Sequence, residues 1–489
     1  MKKDTYQMIV GLEVHVQLQT ESKLFCGCRT TFGSSPNTQT CPICTGMPGT
    51  LPVLNRKALE LSIKTGLAMN CEISRFSKWD RKNYFYPDLP KGYQISQFDL
   101  PICGPGWIAI SDPKERFASK NIRLIRAHLE EDAGKSVHDE VAGSADTRID
   151  LNRTGTPLLE IVSEPDIRSP LEARAYLTEL KLMLEYLGVS DCNMQEGSLR
   201  VDANVNLHIE DEDSTVATPI VEIKNLNSFR AVERALEFES DRQWQQWQRE
   251  GITLEQGAKT TRGWNDAEQK TTIQREKEDS ADYRYFPDPD LVPVTISEEQ
   301  VNTIRSSMNE LPAALRNRLC KKHGLSDYDA EVIVNQGREF AEYFQSVADL
   351  SGSGKLAANW MQQGVLGYLK EKELAISSFP VSATRLGTLV RKIQDGELDN
   401  SRGKDVFEKL LQTDLEVEAI MKELGIEAVD DSALEAICQD LLAANPQVVE
   451  AYRGGKPQAI GPLIGQAKKK NPNANPGKVR EILIGLIDG

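Results

Sequence analysis

Five short stretches of the sequence alternate apolar and polar residues, at positions 8–18, 125–130, 157–164, 199–208 and 218–225. A period of two places successive side chains on opposite faces, which is the pattern of a half-buried β-strand. In the first stretch, Val14 and Val16 would face the core while Glu13 and His15 face away from it. In the second, Ile125 would share the apolar face with Ala127 and Leu129. The sequence therefore predicts a sheet with one buried face and one polar face.

The polar faces of these predicted strands hold carboxylate, imidazole, amide and guanidinium groups, whereas a merely solvated face would accept any polar residue. These groups bind metal ions and phosphates. For any single stretch, an ordinary antiparallel sheet with one solvated face is the simpler interpretation. The five stretches together favour a sheet that binds a nucleotide and its magnesium ion.

The composition is that of a globular protein without a membrane-spanning segment. The chain has 489 residues, 39% of them hydrophobic, and a mean hydropathy of −0.43, which suits two to four domains. No apolar run approaches the roughly 18 residues that cross a bilayer, and the N-terminus lacks the apolar segment of a secretory signal. Nine cysteines, five of them scattered, suit a reducing compartment. We therefore expect no membrane association and a location in the cytoplasm or an organelle interior.

Charge is distributed unevenly along the chain. It carries 58 Lys and Arg against 73 Asp and Glu, a net charge of −15, which disfavours non-specific binding to nucleic acid. Residues 446–489 contain seven basic and three acidic side chains, so this segment is +4 and the remainder is −19. A basic end on an acidic body indicates a module that contacts a polyanion, although a solvated run of lysines explains the charge equally well.

Four cysteines form two close pairs, Cys26-x-Cys28 and Cys41-x-x-Cys44, separated by twelve residues. This spacing suits four thiolate ligands around a tetrahedral Zn²⁺. The segment between the pairs has no apolar core of its own, so a metal would order it. Four reduced thiols or a redox-active pair are the alternatives. If zinc is present, its role is structural, because all four positions are filled by protein.

The order of the predicted elements indicates an α+β fold with three parts. Strands dominate residues 1–293, and two amphipathic helices, after Ser169 and from about Phe229, interrupt them. Helices and strands that do not alternate regularly argue against a doubly wound sheet. The pattern is helical over 294–407, and 408–489 form a third, small helical unit. Neither a G-x-S-x-G elbow nor a Ser-rich amidase stretch is present, so we expect no acyl nucleophile in this chain.

Several long segments are more specific than any of these patterns. They are VGLEVHVQL, the Cys26–Cys44 cluster followed by TGMPGTLPVLN, KNYFYPDLPKGYQISQ, HLEEDAGK, DLNRTGTPLLEIVSEPDI, GSLRVDANVNL, EIKNLNSFR and DYRYFPDPDL. With them, the sequence from Gln7 to the C-terminus closely resembles the B subunit of bacterial and organellar aspartyl/glutamyl-tRNA amidotransferases. The segments ANW and GPLIGQAKKKNPNANPGKVREIL resemble the helical linker and YqeY-like tail of that family.

The resemblance implies a fold and an activity. The first part would be a cradle domain with a glutamine-synthetase-like antiparallel sheet, and the tail would bind tRNA. ATP would phosphorylate the side-chain carboxylate of Glu-tRNA(Gln) or Asp-tRNA(Asn). Ammonia, made from glutamine in the amidase, which is the A subunit of such enzymes, would then displace phosphate. A small C subunit would complete the heterotrimer.

Phosphoryl transfer requires charge neutralisation and positioning more than covalent catalysis, and the residue types fit that demand. The candidate Mg²⁺ ligands are Glu13, His15, Glu130, Glu160 and Glu222. Arg200 and Lys224 are predicted to hold the phosphate oxygens of ATP, with Asn225 beside them; Glu13, His15, Arg200 and Lys224 are the predicted catalytic residues. Glu131 is a weaker candidate, because a strand that exposes Glu130 turns Glu131 away.

Two other functions fit parts of the sequence. One is a zinc-bearing scaffold that binds tRNA and uses the polar sheet face only for docking. The other is a stand-alone amide ligase acting on a small carboxylic acid, against which the basic tail and the missing glutaminase motif argue.

Overall fold

The computed structural model describes residues 6–138, 147–211, 214–276, 282–426, 431–471 and 473–488. The chain forms two compact units, residues 1–312 and 313–489. The strands are β1 Tyr6–Gln17, β2 Phe76–Ser77, β3 Asp80–Asn83, β4 Tyr93–Ser96, β5 Gly106–Ile110, β6 Lys120–Glu131, β7 Lys135–His138, β8 Thr147–Asp150, β9 Pro157–Ser163, β10 Leu199–Asp211, β11 Ser214–Ala217, β12 Val221–Lys224, β13 Thr260–Asn265, β14 Lys270–Glu276, β15 Phe286–Pro287 and β16 Val294–Thr295.

The helices of the first unit are α1 Arg56–Ala68, α2 Pro170–Tyr186, α3 Phe229–Glu250 and α4 Glu298–Ser306. Those of the second are α5 Pro312–His323, α6 Asp327–Val334, α7 Arg338–Ser351, α8 Gly354–Trp360, α9 Leu366–Lys372, α10 Ala383–Gln394, α11 Asn400–Leu410, α12 Val417–Glu423, α13 Asp431–Ala444, α14 Pro446–Arg453, α15 Gly461–Lys470 and α16 Pro476–Asp488. A π-helical turn, Met361–Val365, joins α8 to α9. The predicted α+β class is confirmed.

A nine-stranded sheet forms the centre of the first unit, in the order β14, β13, β12, β10, β1, β9, β6, β5, with β11 paired to β10. The long central strand β1 is antiparallel to both β10 and β9. Its alternate residues Val10, Leu12, Val14 and Val16 are fully buried. All five alternating stretches lie in strands of this sheet, β1, β6, β9, β10 and β12.

One pair of strands departs from the predicted antiparallel arrangement. Strands β12 and β13 run parallel, with Glu222 opposite Thr261. The chain between them is helix α3, and a helix is the usual connection that returns the chain for a parallel pairing. The prediction of an antiparallel sheet is therefore wrong at this pair.

The register of β6 also departs from strict alternation. A β-bulge between Leu124 and Arg126 places Ile125 outside the core, with 42% of its surface exposed. The prediction that Ile125 belongs to the apolar face is wrong, because an inserted residue shifts the phase of every side chain before it. After the bulge, Ala127 and Leu129 are buried as predicted.

Helices α2 and α3 pack on each other and on the apolar face of the sheet. Ser169 caps α2 by accepting a hydrogen bond from the backbone N–H of Glu172, and Pro170 occupies its first position. Ser228 caps α3 in the same way, and Gly251, with φ of 63°, ends it. Because the helices cover one face, the opposite, polar face of the sheet is left for function.

The second unit is helical throughout its described residues. Residues between Leu434 and Leu483 on helices α13, α15 and α16 build a small apolar core of their own. Lys468 forms an ion pair of 2.6 Å with Asp399, the residue that caps α11. The boundaries at residues 293 and 407, and the YqeY-like character of the tail, stay predictions. Among the described residues, none of the helices combines the length and apolar content that a bilayer crossing requires.

Candidate active site on the polar face of the sheet

Four polar side chains stand side by side across four neighbouring strands. His15 on β1 is paired with Arg200 on β10 and with Glu160 on β9, and Glu160 is paired in turn with His128 on β6. Paired residues of adjacent strands point to the same face and lie about 5 Å apart. The register of the sheet thus assembles a row from segments far apart in sequence.

Glu130 completes a compact cluster with this row. Three side chains, those of His15, Glu130 and Glu160, each offer one ligand atom, and these three atoms lie within 4.8 Å of one another. The Nδ1 atom of His15 is 3.7 Å from Oε1 of Glu130, and Nε2 of His128 is 3.5 Å from Oε2 of Glu160 and 3.8 Å from Oε2 of Glu130. These separations are too long for hydrogen bonds. We call this group, with His128, the carboxylate–imidazole cluster.

Several atoms of the cluster lack partners. In the part of the chain that the structure describes, Nδ1 of His15, Nδ1 of His128 and Oε2 of Glu130 are buried and form no hydrogen bond. A buried polar atom without a partner costs about 1–3 kcal/mol. Two carboxylates and an imidazole that converge with free lone pairs therefore form a donor set suited to a divalent cation.

The electrostatics of the cluster agree with that interpretation. Burial lowers the pKa of His15, but the carboxylates of Glu130 and Glu160 outweigh burial and raise it. Burial raises the pKa of Glu130, but His128 and His15 outweigh burial and hold it below its ordinary value. The raised pKa of His15 reports a negative potential that attracts cations.

Arg200 is held by a carboxylate. Its Nη2 is 3.0 Å from Oδ1 of Asp132, a buried residue that also accepts a hydrogen bond of 2.7 Å from Nε2 of Gln17. Burial lowers the pKa of Arg200, but Asp132 outweighs it and raises the value. The guanidinium is thus fixed at the end of the row, next to His15.

Glu13, Glu222 and Lys224 lie on the same polar face of the sheet, outside the carboxylate–imidazole cluster. Glu13 accepts a hydrogen bond of 2.9 Å from Nδ2 of Asn204. Glu222 accepts one of 2.9 Å from Thr261 and lies 3.2 Å from Nζ of Lys224. Burial raises the pKa of Glu222, but Lys224 outweighs burial and lowers it to about 2.

Lys224 and Asn225 close the end of β12. Nζ of Lys224 is 2.7 Å from Oδ2 of Asp202, which places this cation between two carboxylates. Asn225 has a φ of 64°, a left-handed conformation that asparagine tolerates better than most residues. Glu131 points away from the cluster, as alternation predicts, and pairs with Lys91.

Sequence reasoning missed two functional candidates, His128 and Lys82. His128 alternates with Glu130 in the predicted strand, so the pattern already indicated its place on the polar face. Lys82 lies on β3, in a different sheet, and only the fold brings it to the cluster. Burial lowers the pKa of Lys82, but Glu130 and Glu160 outweigh burial and raise it.

The four cysteines also meet. The sulfur atoms of Cys26, Cys28, Cys41 and Cys44 all lie within 4.8 Å of one another. The backbone N–H of Cys41 donates to Sγ of Cys44 over 3.2 Å, and Nζ of Lys23 lies 3.6 Å from the same sulfur. The Cys26 thiol, that N–H group and Lys23 together lower the pKa of Cys44 to about 4, against the effect of burial. This cluster has the ligands of a closed tetrahedral metal site.

Comparison with known proteins decides the family. Residues 8–302 match the model described as the GatB/GatE catalytic domain, and residues 342–487 match the one described as the GatB domain. A Rhodopirellula baltica protein, named as the B subunit of aspartyl/glutamyl-tRNA(Asn/Gln) amidotransferase, is 62% identical over 479 residues, covering 98% of this chain and 96% of that protein. The chain belongs to the GatB family. A protein of the same name from Chlorobium phaeobacteroides is 46% identical, over 99% of this chain and 100% of that protein. Another from a Thermoanaerobacter species is also 46% identical, over 98% of both chains.

Both clusters of this GatB family member lie inside the region matched by the catalytic-domain model. The basic segment with Lys468, Lys469 and Lys470 lies inside the region matched by the second model. The resemblance inferred from the sequence motifs is thereby confirmed over nearly the whole chain.

Proposed function

We propose that this chain is the B subunit of a tRNA-dependent amidotransferase and catalyses ATP-dependent phosphorylation and amidation of a carboxylate carried by tRNA. The substrate is Glu-tRNA(Gln), Asp-tRNA(Asn) or both, as the names of the relatives indicate. The observation that carries the proposal is the convergence of His15, Glu130 and Glu160 on the polar face of the sheet.

The reaction has two steps. A side-chain carboxylate oxygen of the substrate attacks the γ-phosphorus of ATP, and ADP leaves with the electron pair of the broken bond. Ammonia then attacks the activated acyl carbon, phosphate leaves with the former carboxylate oxygen, and a proton is lost from nitrogen. A free carboxylate is a poor electrophile, so the first step makes the second possible.

The cluster is proposed to hold Mg²⁺ through His15, Glu130 and Glu160, where buried, unpartnered atoms suit a cation. When bound, Mg²⁺ offsets the negative charge that develops during phosphoryl transfer. His128 borders both carboxylates, with its Nε2 3.8 Å from Glu130 and 3.5 Å from Glu160. Glu13 and Glu222 stay candidate ligands for a second part of the same site.

Cations of the chain complete the proposed nucleotide site. Arg200, fixed by Asp132, is proposed to bind phosphate oxygens next to His15. Lys224 would do the same from β12, with Asn225 beside it. Because Lys224 already pairs with Asp202 and Glu222, its side chain is positioned before substrate arrives.

The proposed assembly supplies what this chain lacks. We propose that an amidase, the A subunit, is the source of ammonia and that a small C subunit completes the complex, in the cytoplasm or an organelle interior. The tail is proposed to contact tRNA through its basic residues. Removal of residues 408–489 should therefore weaken tRNA binding and reduce the salt dependence of the affinity. The four cysteines are proposed to bind one structural Zn²⁺.

The proposal is tested by ATP turnover of the assembled enzyme in the presence and absence of charged tRNA. We expect ADP formation with Glu-tRNA(Gln) or Asp-tRNA(Asn), and only background with the uncharged tRNA. A tRNA-binding scaffold would give no ADP with either, and a stand-alone amide ligase would turn over free glutamate or aspartate. Either result would contradict the proposed function.

A further inference from the structure

A group of aromatic rings packs together around Lys82, which lies on β3. The rings of Tyr84 and Tyr283 meet edge to face at 6.1 Å, as do those of Tyr283 and Tyr285, while Phe98 stacks on Tyr285 at 4.3 Å and 16°. We call these four rings the aromatic wall. Three separate segments contribute to it, so it is a product of the tertiary fold.

The wall is anchored to the strand that carries Glu130. The hydroxyl of Tyr84 donates to Oε1 of Gln94 over 3.1 Å, and Nε2 of Gln94 donates to the backbone carbonyl of Glu131 over 2.6 Å. The loop with Tyr283 is fixed to β3, because the N–H of Asn83 donates to the carbonyl of Tyr283 over 3.0 Å. These bonds hold the rings in place before any ligand binds.

A cation joins the wall to the cluster. Nζ of Lys82 lies 5.0 Å from the centre of the Tyr283 ring, in cation–π range. The same ammonium group lies close enough to Glu130 and Glu160 for their charges to raise its pKa. Through this contact, and through the hydrogen bonds from Tyr84 to Gln94 and from Gln94 to the carbonyl of Glu131, the wall adjoins the strand segment that carries Glu130.

Phe98 leaves one end of the wall open. It is 51% exposed although its other face covers Tyr285. An exposed ring that already stacks on another offers a flat surface for a third planar group. Proteins bind unpaired bases of single strands by such stacking, worth about 1–3 kcal/mol per base.

We propose that the aromatic wall binds the terminal adenine base of the acceptor strand of the aminoacyl-tRNA. This inference rests on the proposed function, which places the aminoacyl group at the cluster. A glutamyl side chain spans roughly 7 Å from its ester oxygen to its carboxylate. The base of the same nucleotide must therefore lie next to the cluster, and the wall is the stacking surface there. The adenine of ATP offers the same chemistry, but the triphosphate separates it from the reacting phosphorus by a longer chain.

The experiment replaces the terminal adenine of uncharged tRNA with 2-aminopurine, whose fluorescence falls when it stacks. Full-length chain in its assembled complex should quench the probe, and Tyr285→Leu and Phe98→Ala should remove most of the quenching. Tyr285→Phe keeps the ring and should retain it. Phe85→Ala is the matched control, because Phe85 is 88% exposed and lies outside the wall.

Steady-state kinetics distinguish the two sources of adenine. We expect Phe98→Ala to raise KM for the charged tRNA by between about fivefold and a hundredfold, with KM for ATP unchanged. A raised KM for ATP with normal quenching would assign the wall to the nucleotide and overturn the proposal, as would unaltered quenching in both variants. Quenching of the probe does not require turnover. A wild-type complex that quenches the probe but forms no ADP would therefore contradict the proposed function and not the binding of the base.

Discussion

Replacing Glu130 with glutamine is expected to reduce tRNA-dependent ATP hydrolysis by at least about a hundredfold, because the amide cannot offer a charged oxygen to Mg²⁺. Glu130 is 3% exposed and lies between two imidazoles, and it supplies one of the two carboxylates of the cluster. The swap keeps the shape but removes the charge that His128 and His15 favour, while it also spares the side chain the cost of burying a charge. We therefore expect the free energy of unfolding to change by no more than about 2 kcal/mol. ATP turnover and the thermal midpoint of the same sample measure both effects.

A matched control comes from the same face of the sheet. Glu210 is exposed on β10, ten residues along the strand from Arg200, and Glu210→Gln should leave turnover unchanged.

Glu13→Gln should also abolish hydrolysis if Glu13 shares the metal site, and the free energy of unfolding should change by no more than about 1 kcal/mol. Wild-type turnover in Glu130→Gln would show that the polar face serves docking and not catalysis.

The double variant Cys41→Ala/Cys44→Ala is expected to lose the single equivalent of zinc that the wild-type chain should carry. Two of the four ligands are removed, and the loop 26–44 has little apolar surface to hold it otherwise. Metal binding contributes directly to folding at such sites, so we expect a loss of about 3 kcal/mol or more. Metal analysis and thermal unfolding of the purified protein measure the two effects.

Cys320→Ala is the control for the zinc experiment, because Cys320 lies in the second unit, outside the cluster. It should keep stoichiometric zinc. Stoichiometric zinc in the double cysteine variant would exclude the proposed ligands. Residual phosphorylation in that variant is compatible with the account, since a closed structural site takes no part in the chemistry.

Alternation alone was enough to predict the strands that build the site. Val10 to Val16 on β1 and Leu199 to Val205 on β10 repeat with a period of two, and burial of one face fixes the register. Because the pattern also fixes which face is polar, the placement of His15 and Glu160 followed from the residues without a structure.

Contacts between distant segments could not be predicted in the same way. Strand order decides that Arg200, His15, Glu160 and His128 form one row, and no local pattern specifies strand order. The partner of Arg200 is Asp132, beyond the end of a predicted strand, and Lys82 reaches the cluster from a separate sheet. The bulge at Ile125 and the parallel pair β12–β13 arise from tertiary packing that periodicity does not encode.

The most direct test of the account follows an oxygen atom. If the cluster promotes attack of the substrate carboxylate on ATP, then charged tRNA labelled with ¹⁸O in the side-chain carboxylate must transfer one labelled oxygen to each phosphate released. Mass spectrometry of the inorganic phosphate measures this transfer. We expect one ¹⁸O per phosphate for each amide formed, and the transfer should fall with turnover in Glu130→Gln. Phosphate that carries no label would show that water attacks ATP, and would contradict the proposed phosphorylation of the carboxylate.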